Sequence, residues 1–463
     1  MMARGEGASP LDRSVPPGRG PLRPFSFPPI ERTRLGNGLP LVVARTEGPP
    51  VATLALLLPA AGVHEPDDRA GLASLTGSLL ESGAGERSAP EIAEAFEGLG
   101  AQLGVATTWD ATEVEVTALT SRLEPAARLV AELVQRPTFP DTEVERVREE
   151  QLSAILQRRA DPRGLANEAT ARFLYSAGSP FSRPLGGSTA TLRGLTRADV
   201  TTFHAEHFSP FGATALVAGN LDPDSARDLA EAAFGDWIGP AVTRPQRPVE
   251  PASRERRVII VDRPGSVQSE LRVGHVGVDR STADYFPLVV MNTILGGAFT
   301  SRLNLNLRER QGFTYGVSSA FIMRRQPGPF IVSTAVQTEV TAPALREIFN
   351  EVERIREEPV TAPELEDARN YIAGVFPLRL ETTEGVASRL AEMALHGLPE
   401  DYFDAYRDRV LAVPVDEVHR VAKDRIRPDE MAIVVVGDAG AIHGPVEELG
   451  LGPVEVLQPG ALP

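Results

Sequence analysis

The sequence predicts an α+β fold made of two homologous domains, each with a mainly antiparallel sheet packed by helices. Three observations predict it. Short strand-like runs and long amphipathic helices occur without strict βαβ alternation. Landmarks recur at a nearly constant offset along the 463 residues. A Pro- and Arg-rich stretch also separates the two sets of landmarks.

Strand signals come first. Residues 38–45 (GLPLVVAR), 51–58 (VATLALLL) and 113–119 (EVEVTAL) are rich in β-branched side chains, and the last alternates cleanly. Helical stripes lie between and after them: Ala126, Leu129, Val130, Leu133 and Val134 in the first half, Leu345, Ile348, Phe349, Val352 and Ile355 in the second. These stripes belong to a repeat. TLALLLPAAGV, ending at Val63, has a counterpart in ELRVGHVGV, ending at Val278, 215 positions later. Gly219 of FSPFGATALVAGNLD matches Gly437 of IRPDEMAIVVVGDAG, 218 positions later. RPTFPDTEVERVREEQL is echoed by EEPVTAPELEDARNYI at similar spacing. The expected organisation is a disordered or extended arm over 1–29, a first domain over 30–238, a linker over 239–257, a second domain over 258–450 and a tail over 451–463.

Composition excludes several functions. With 47 basic against 63 acidic residues the net charge is −16, and no basic block offsets it, so nucleic acid is not an expected partner. Cysteine is absent, which excludes disulfides, thiolate zinc sites and thiol nucleophiles. The first thirty residues lack the apolar core of a secretory signal, and no run approaches the ~18 apolar residues of a membrane span. A cytoplasmic protein with no membrane partner is the expectation.

Six segments carry a resemblance: LGNGLPLVVA, AAGVHEPDDRAGLASLTGSLLESGA, LGAQLGVATTWDATEV, FHAEHFSPFGATALVAGNLD, DRPGSVQSELRVGHVGV and ILGGAFTSRLNLNLRERQGFTYGVSSAF. In this order, and together with the duplication, they resemble the pitrilysin family of inverted-zincin metallopeptidases, which includes insulin-degrading enzyme and mitochondrial processing peptidase. The resemblance covers nearly the whole chain. It implies two α+β domains closing like a clamshell around an extended peptide.

The family's catalytic helix follows a Gly-Leu-Ala-like run with H-x-x-E-H, two His on one helical face for zinc and a Glu as general base. Here Gly71-Leu72-Ala73 is followed by Ser74, Gly77 and Ser78 at those three positions. Hydroxyls do not replace imidazole on zinc, and glycine takes no proton. By register the family's distal Glu ligand falls near Leu152, with Glu149 and Glu150 within a turn of it. One carboxylate does not hold a catalytic zinc. No metal is therefore expected on this chain. His204 and His207 could face one way on a helix, but no third ligand accompanies them, and the bland reading is a helix end. His275 reads as a hydrogen-bonded residue of a strand.

The second half departs less. The family places an Arg and a Tyr seven residues apart, and Arg308 and Tyr315 match that spacing. Gly312 is expected to end the helix before the strand of TYGVSSAF, a layout that could bring both side chains to one corner. In the family this pair reaches the substrate carbonyl beside the zinc, where a guanidinium and a phenol suit a developing negative charge. Gly296-Gly297 reads as a turn or close-packing device, not a phosphate loop. Gly104 and Val105 replace the family's Asn and Ala on the strand that pairs with substrate, which puts peptide binding by the first half in doubt.

The reading that follows is a non-catalytic subunit of a two-component zinc metallopeptidase. It would form a heterodimer with a paralogous H-x-x-E-H subunit that holds the zinc, and bind unfolded peptide by strand addition. The alternatives are a scaffold subunit of a larger assembly and a peptide-binding module without proteolysis.

Overall fold

The computed structural model describes residues 20–461, and two six-stranded sheets dominate it. The first is built from β1 (Ile30–Arg34), β2 (Pro40–Arg45), β3 (Val51–Leu58), β6 (Gln102–Thr107), β7 (Thr112–Leu119) and β8 (Thr214–Gly219), while β4 (Gly83–Ala84) and β5 (Arg87–Ser88) form a small separate hairpin. The second is built from β9 (Arg257–Asp262), β10 (Gln268–Val276), β11 (Val317–Phe321), β12 (Pro329–Gln337), β13 (Ala432–Gly437) and β14 (Val454–Leu457). The strand orders are β1-β2-β8-β3-β7-β6 and β11-β12-β10-β13-β9-β14. Read from the β6 and β11 edges inward, the first five strands match one for one, as a duplication requires. Both sheets are mainly antiparallel; the parallel neighbours are β2–β8, β9–β13 and β9–β14.

The outermost strands differ. β1 is a hairpin partner of β2, whereas β14 comes from beyond the second domain's expected end and lies parallel to β9. Residues 451–463 are therefore not simply a tail, because Val454–Leu457 pair with Val258–Val261. A short VEVL run beside Gly and Pro carries too little periodicity to announce this strand.

The central strands of each sheet are buried on both faces. β3 is buried from Ala52 to Leu58, so covering one face is not enough. Helices of the same half cover one face. The other is covered by a helix from the opposite half. Pro162–Leu174, in the first half, packs on β10 and β13 and sets Leu165, Ala166 and Ala169 against Ile259, Val261, Val434 and Val436. Thr383–His396, in the second half, packs on β3 and β8 and places Val386, Ala387 and Leu390 in one core with Ala55, Leu57 and Leu216.

The equivalent hairpin tips of the two sheets also interlock. Trp109, in the β6–β7 turn, packs edge-on to Phe181 at 5.3 Å and is 9% exposed. The Arg324 guanidinium, in the β11–β12 turn, lies 4.5 Å from the Phe181 ring and 5.8 Å from Trp109. Asp110 accepts the Arg325 amide at 3.0 Å and pairs with Arg244 of the linker. The stretch read as a linker is irregular, but it is tied down: the Ser176 amide donates to Glu250 O (2.9 Å), the Ala252 amide to Leu174 O (2.9 Å) and Gln326 to Arg247 O (2.7 Å). Arg257, its last residue, opens β9. Residues 20–29 of the arm lie on the second half, where Phe27 packs on Phe403 at 5.3 Å; residues 1–19 lie outside the described residues.

Trp109→Ala should cost about 3–5 kcal/mol, the usual range for deleting a buried aromatic. Because the ring joins two halves that share their cores, equilibrium denaturation should keep one transition and move its midpoint to lower denaturant. A single transition at unchanged denaturant midpoint would refute this role.

Candidate functional site

Helix Leu72–Ser78 begins at a buried carboxylate. Glu65 accepts the amides of Gly71 (3.2 Å) and Ala73 (2.7 Å) and pairs with Arg183 at 2.8 Å, so it supplies the negative charge a helix start favours. Burial pushes its carboxyl up, against the opposing pull of Arg183 and the two amides. The helix then presses its glycine onto the edge strand: a Cβ on Gly77 would collide with Thr107 Oγ1, and Val105 Cγ1 is 3.8 Å away. Ser74 is half-buried and Ser78 exposed. Ser78 Oγ donates to Ser74 O at 3.0 Å and receives the Gln151 amide at 3.4 Å, from helix Asp141–Ala160.

This donor set does not fit zinc. It offers two hydroxyls and an amide, and Glu150 beside them is held by Arg146 at 2.6 Å. Among the described residues no three His, Cys, Asp or Glu side chains are grouped to hold a metal ion. Leu152 is turned into the core of the first half, so the position facing Ser78 is Gln151, one residue before the register suggested by sequence. The His204–His207 pair does not converge either. His204 Nε2 bonds Val134 O at 2.8 Å, while the His207 ring lies 4.7 Å from that of His64. Burial, with His207 and Arg244 nearby, pulls His64 down to about 4. His275 is buried and hydrogen-bonded, with Nδ1 2.9 Å from Val276 O and Nε2 accepting the Arg427 amide at 3.2 Å.

The second half repeats the helix-on-edge contact. In the turn Thr293–Gly297, a Cβ on Gly296 would lie 2.6 Å from Ser319 N, so Gly296 stands to β11 as Gly77 stands to β6. Two asparagines then close the outer edge of β11. Asn304 accepts the Val317 amide (3.2 Å) and donates to the Val317 carbonyl (2.8 Å), and Asn292 donates to Ser319 O (2.9 Å). Among the described residues no such bond reaches the outer edge of β6.

Arg308 sits in the turn Asn304–Arg310, its guanidinium 4.0 Å over the Phe299 ring and 3.4 Å from Glu309. Tyr315 is 96% exposed and lies with Arg163, Glu270 and Arg272 around a recess that Arg308 does not line. Gly312, at φ +67°, ends the helical turn between them, and among the described residues no hydrogen bond or ring contact joins the two side chains.

Comparison with known proteins agrees with this geometry. A family model described as Insulinase (Peptidase family M16) matches residues 41–178, and one described as Peptidase M16 inactive domain matches residues 194–372. The chain belongs to the M16 peptidase family. It is 29% identical to an uncharacterized zinc protease of Mycobacterium tuberculosis over 88% of this chain and 93% of the relative. It is 22% identical to a non-peptidase homolog of Helicobacter pylori over 86% and 92%. The solved peptidase M16 inactive domain from Pseudomonas fluorescens superposes with TM-score 0.83 at 26% identity, covering 88% of this chain and 98% of that one. A protease from Helicobacter pylori shares the fold, with TM-score 0.82 at 19% identity over 89% and 100%. This M16 member is a metallopeptidase homologue whose second half matches the domain described as inactive.

Sequence reasoning passed over the open face of the first M16 sheet. Gly104 and Ala106 of β6 pair in register with Glu115 and Glu113 of β7, so small residues lie beside two carboxylates. The alternation in EVEVTAL already placed Glu113, Glu115 and Thr117 on one face. Burial, with Glu113 and Glu384 alongside, pushes Glu115 up to about 7. Against its own burial, Glu384 is held low by hydrogen bonds from its backbone amide and from Thr117, Thr382 and Thr383. The asparagines that close β11 had no sequence signal, since an Asn in a helix looks the same whether or not it reaches a strand edge.

Two tests follow from this packing. Ser74→His, Gly77→Glu and Ser78→His together should lose about 1–3 kcal/mol through the overpacked position 77, and Thr107→Ala should recover most of that. Stoichiometric zinc should appear only once Gln151→Glu is added; zinc on the triple variant by metal analysis would refute position 151. For Glu115, a folded pKa raised above 4.5 means that its share of stability is full below the unfolded value and lost as pH rises through about 7. Glu115→Gln should raise the unfolding free energy at pH 8 by on the order of 1 kcal/mol after allowing for solvent screening, with the gain fading toward pH 5. An equal gain at both values would contradict the assignment.

Proposed function

We propose that this chain is the non-catalytic subunit of a two-chain zinc metallopeptidase that acts on unfolded peptides. Its partner would be a paralogous subunit carrying H-x-x-E-H and the zinc. One observation carries the reading: the helix at the zinc position has kept its place but not its ligands, while Tyr315 is 96% exposed with no hydrogen-bond partner among the described residues. A phenol so placed is suited to act on something another chain presents. The printed description of the Helicobacter pylori relative as a non-peptidase homolog is in keeping with this.

Against the doubt that Gly104 and Val105 raise, we assign peptide binding to the first half. β6 keeps its outer edge open to a further strand, and the small residues Gly104 and Ala106 leave room beside it, whereas Asn292 and Asn304 occupy the equivalent edge of β11. Strand addition reads peptide backbone, which fits an unfolded substrate with little sequence preference. Arg308 and Tyr315 would serve as donors to the oxyanion that develops at the partner's zinc, brought together only in the assembled pair.

The test is reconstitution with an H-x-x-E-H paralogue. The chain alone should carry no stoichiometric zinc and cleave nothing. In the mixture, Arg308→Ala or Tyr315→Phe should lower kcat roughly a hundred- to a thousand-fold, with partner zinc content and assembly unchanged. If both variants assemble and cleave like wild type, the chain is a scaffold; if KM alone rises, the pair only binds substrate.

A further inference from the structure

The second half holds a cavity of about 360 Å³ between helices Tyr285–Asn292 and Ala362–Leu378, within the size range of small-molecule sites. Much of its wall is rings and branched aliphatic chains, among them Tyr285, Phe321, Ile372, Val375, Phe376 and Tyr406. These walls are braced from outside the cavity. Phe376 takes the edge of Phe25 at 5.6 Å, Phe321 lies 4.7 Å from Phe330, and Tyr406 lies 5.4 Å from Phe286. Rings packed on both sides keep their spacing, so the space is preformed.

Two arginines give the cavity its character. Arg280 is 5% exposed, with its guanidinium 3.6 Å over the Tyr285 ring, whereas Arg379 is exposed at the mouth. Arg280 donates from Nε and Nη2 to Glu392 Oε1, at 3.1 and 2.9 Å, and from Nη2 to Tyr402 at 2.8 Å. Its Nη1 has no partner among the described residues and is not sealed off by protein. The Arg379 side chain has no hydrogen bond or ion pair among the described residues either.

The groups that could answer a positive ligand are already taken. Glu392 is the carboxylate of the lining, and its other oxygen accepts Arg389 at 2.6 Å. Asn292 is tied at both ends to Ser319, at 2.9 and 2.8 Å, and Thr293 Oγ1 donates to Val289 O at 2.8 Å. What is left over is donor capacity on two guanidiniums, in a chain whose net charge is −16. A cation entering here would meet like charge; an anion would meet two unused donors.

We infer that this cavity binds a small carboxylate with a bulky apolar body, the body among Phe321, Val375 and Phe376 and the carboxylate between Arg280 and Arg379. Burial of the apolar body supplies the driving force, and the guanidiniums fix its orientation. A free aromatic acid and the C-terminus of a peptide ending in an aromatic residue share this chemistry. Neither Arg308 nor Tyr315 lines the cavity, so the inference stands without the proposed peptidase role.

Titration of the full chain with naphthylacetate, followed by the probe's own fluorescence, should saturate with a Kd below about 1 mM. Its uncharged amide should bind at least about ten-fold more weakly, and so should naphthylacetate to Arg379→Ala, an exposed position whose loss leaves the fold intact. Val375→Phe, which fills the space, should remove binding while keeping the wild-type circular dichroism. No saturation, equal affinity for acid and amide, equal affinity of wild type and Arg379→Ala, or binding that survives in a folded Val375→Phe would overturn the inference. A short acetylated peptide ending in phenylalanine separates the two sources. If it displaces naphthylacetate and its C-terminal amide does not, the cavity takes peptide ends; if neither displaces it, the cavity takes free acids.

Discussion

The structure depends on each sheet being finished by a helix of the opposite half. A sheet whose central strands are apolar on both sides exposes a large hydrophobic face unless something outside its own domain covers it. Helix Pro162–Leu174 and helix Thr383–His396 do this reciprocally, and the second adds a polar key: Thr383 Oγ1 lies 2.7 Å from Thr53 Oγ1, which lies 2.7 Å from Thr117 Oγ1. Neither half has a complete core alone. The repeat is therefore a folding unit only as a pair, and the hairpin tips at Trp109 and Arg324 close the remaining contact.

The same covering decides where function has room. The exchanged helices pack chiefly on the central strands, β3 with β8 and β10 with β13. What remains open is the outer part of each sheet, β6 with β7 and β11 with β12. On the first sheet this strip holds Gly104, Ala106, Glu113 and Glu115 beside an open edge; on the second, Tyr315 projects beside an edge that Asn292 and Asn304 have closed. The two strips come from one plan and have been put to different uses.

The fold was legible in the sequence because it rests on periodicity and repetition. The runs at 40–45, 51–58 and 113–119 alternate or bury as strands do, and Val63 with Val278 and Gly219 with Gly437 expose the duplication. The degenerate zinc positions were legible for the same reason, since Ser74, Gly77 and Ser78 follow an ordered run. What escaped were contacts between segments distant in sequence. Helix register over 70 residues from Ser78 was off by one, which separates a buried Leu152 from a facing Gln151. The separate surroundings of Arg308 and Tyr315 depend on Phe299 and on a recess shared with Arg163 of the other half, neither of which a seven-residue spacing encodes. β14 was missed because four residues do not make a pattern.

The lost metal site is better described as repacked than as emptied. Had the helix lost only its ligands, the space of the general base would remain beside the edge strand. Instead Gly77 lets the helix approach until the Thr107 hydroxyl fills that space, and Thr107 is itself fixed by a 2.9 Å hydrogen bond to Thr112. The second half reaches the same arrangement independently, with Gly296 on Ser319 and Ser319 Oγ bonded to Asn292 at 2.8 Å. A glycine on the helix against a hydroxyl on the edge strand is thus a stable way to pack this motif in both halves. The motif's contact belongs to the architecture of both halves. That is why the helix keeps its place without a metal, and why Thr107 would have to give way before position 77 could carry a general base.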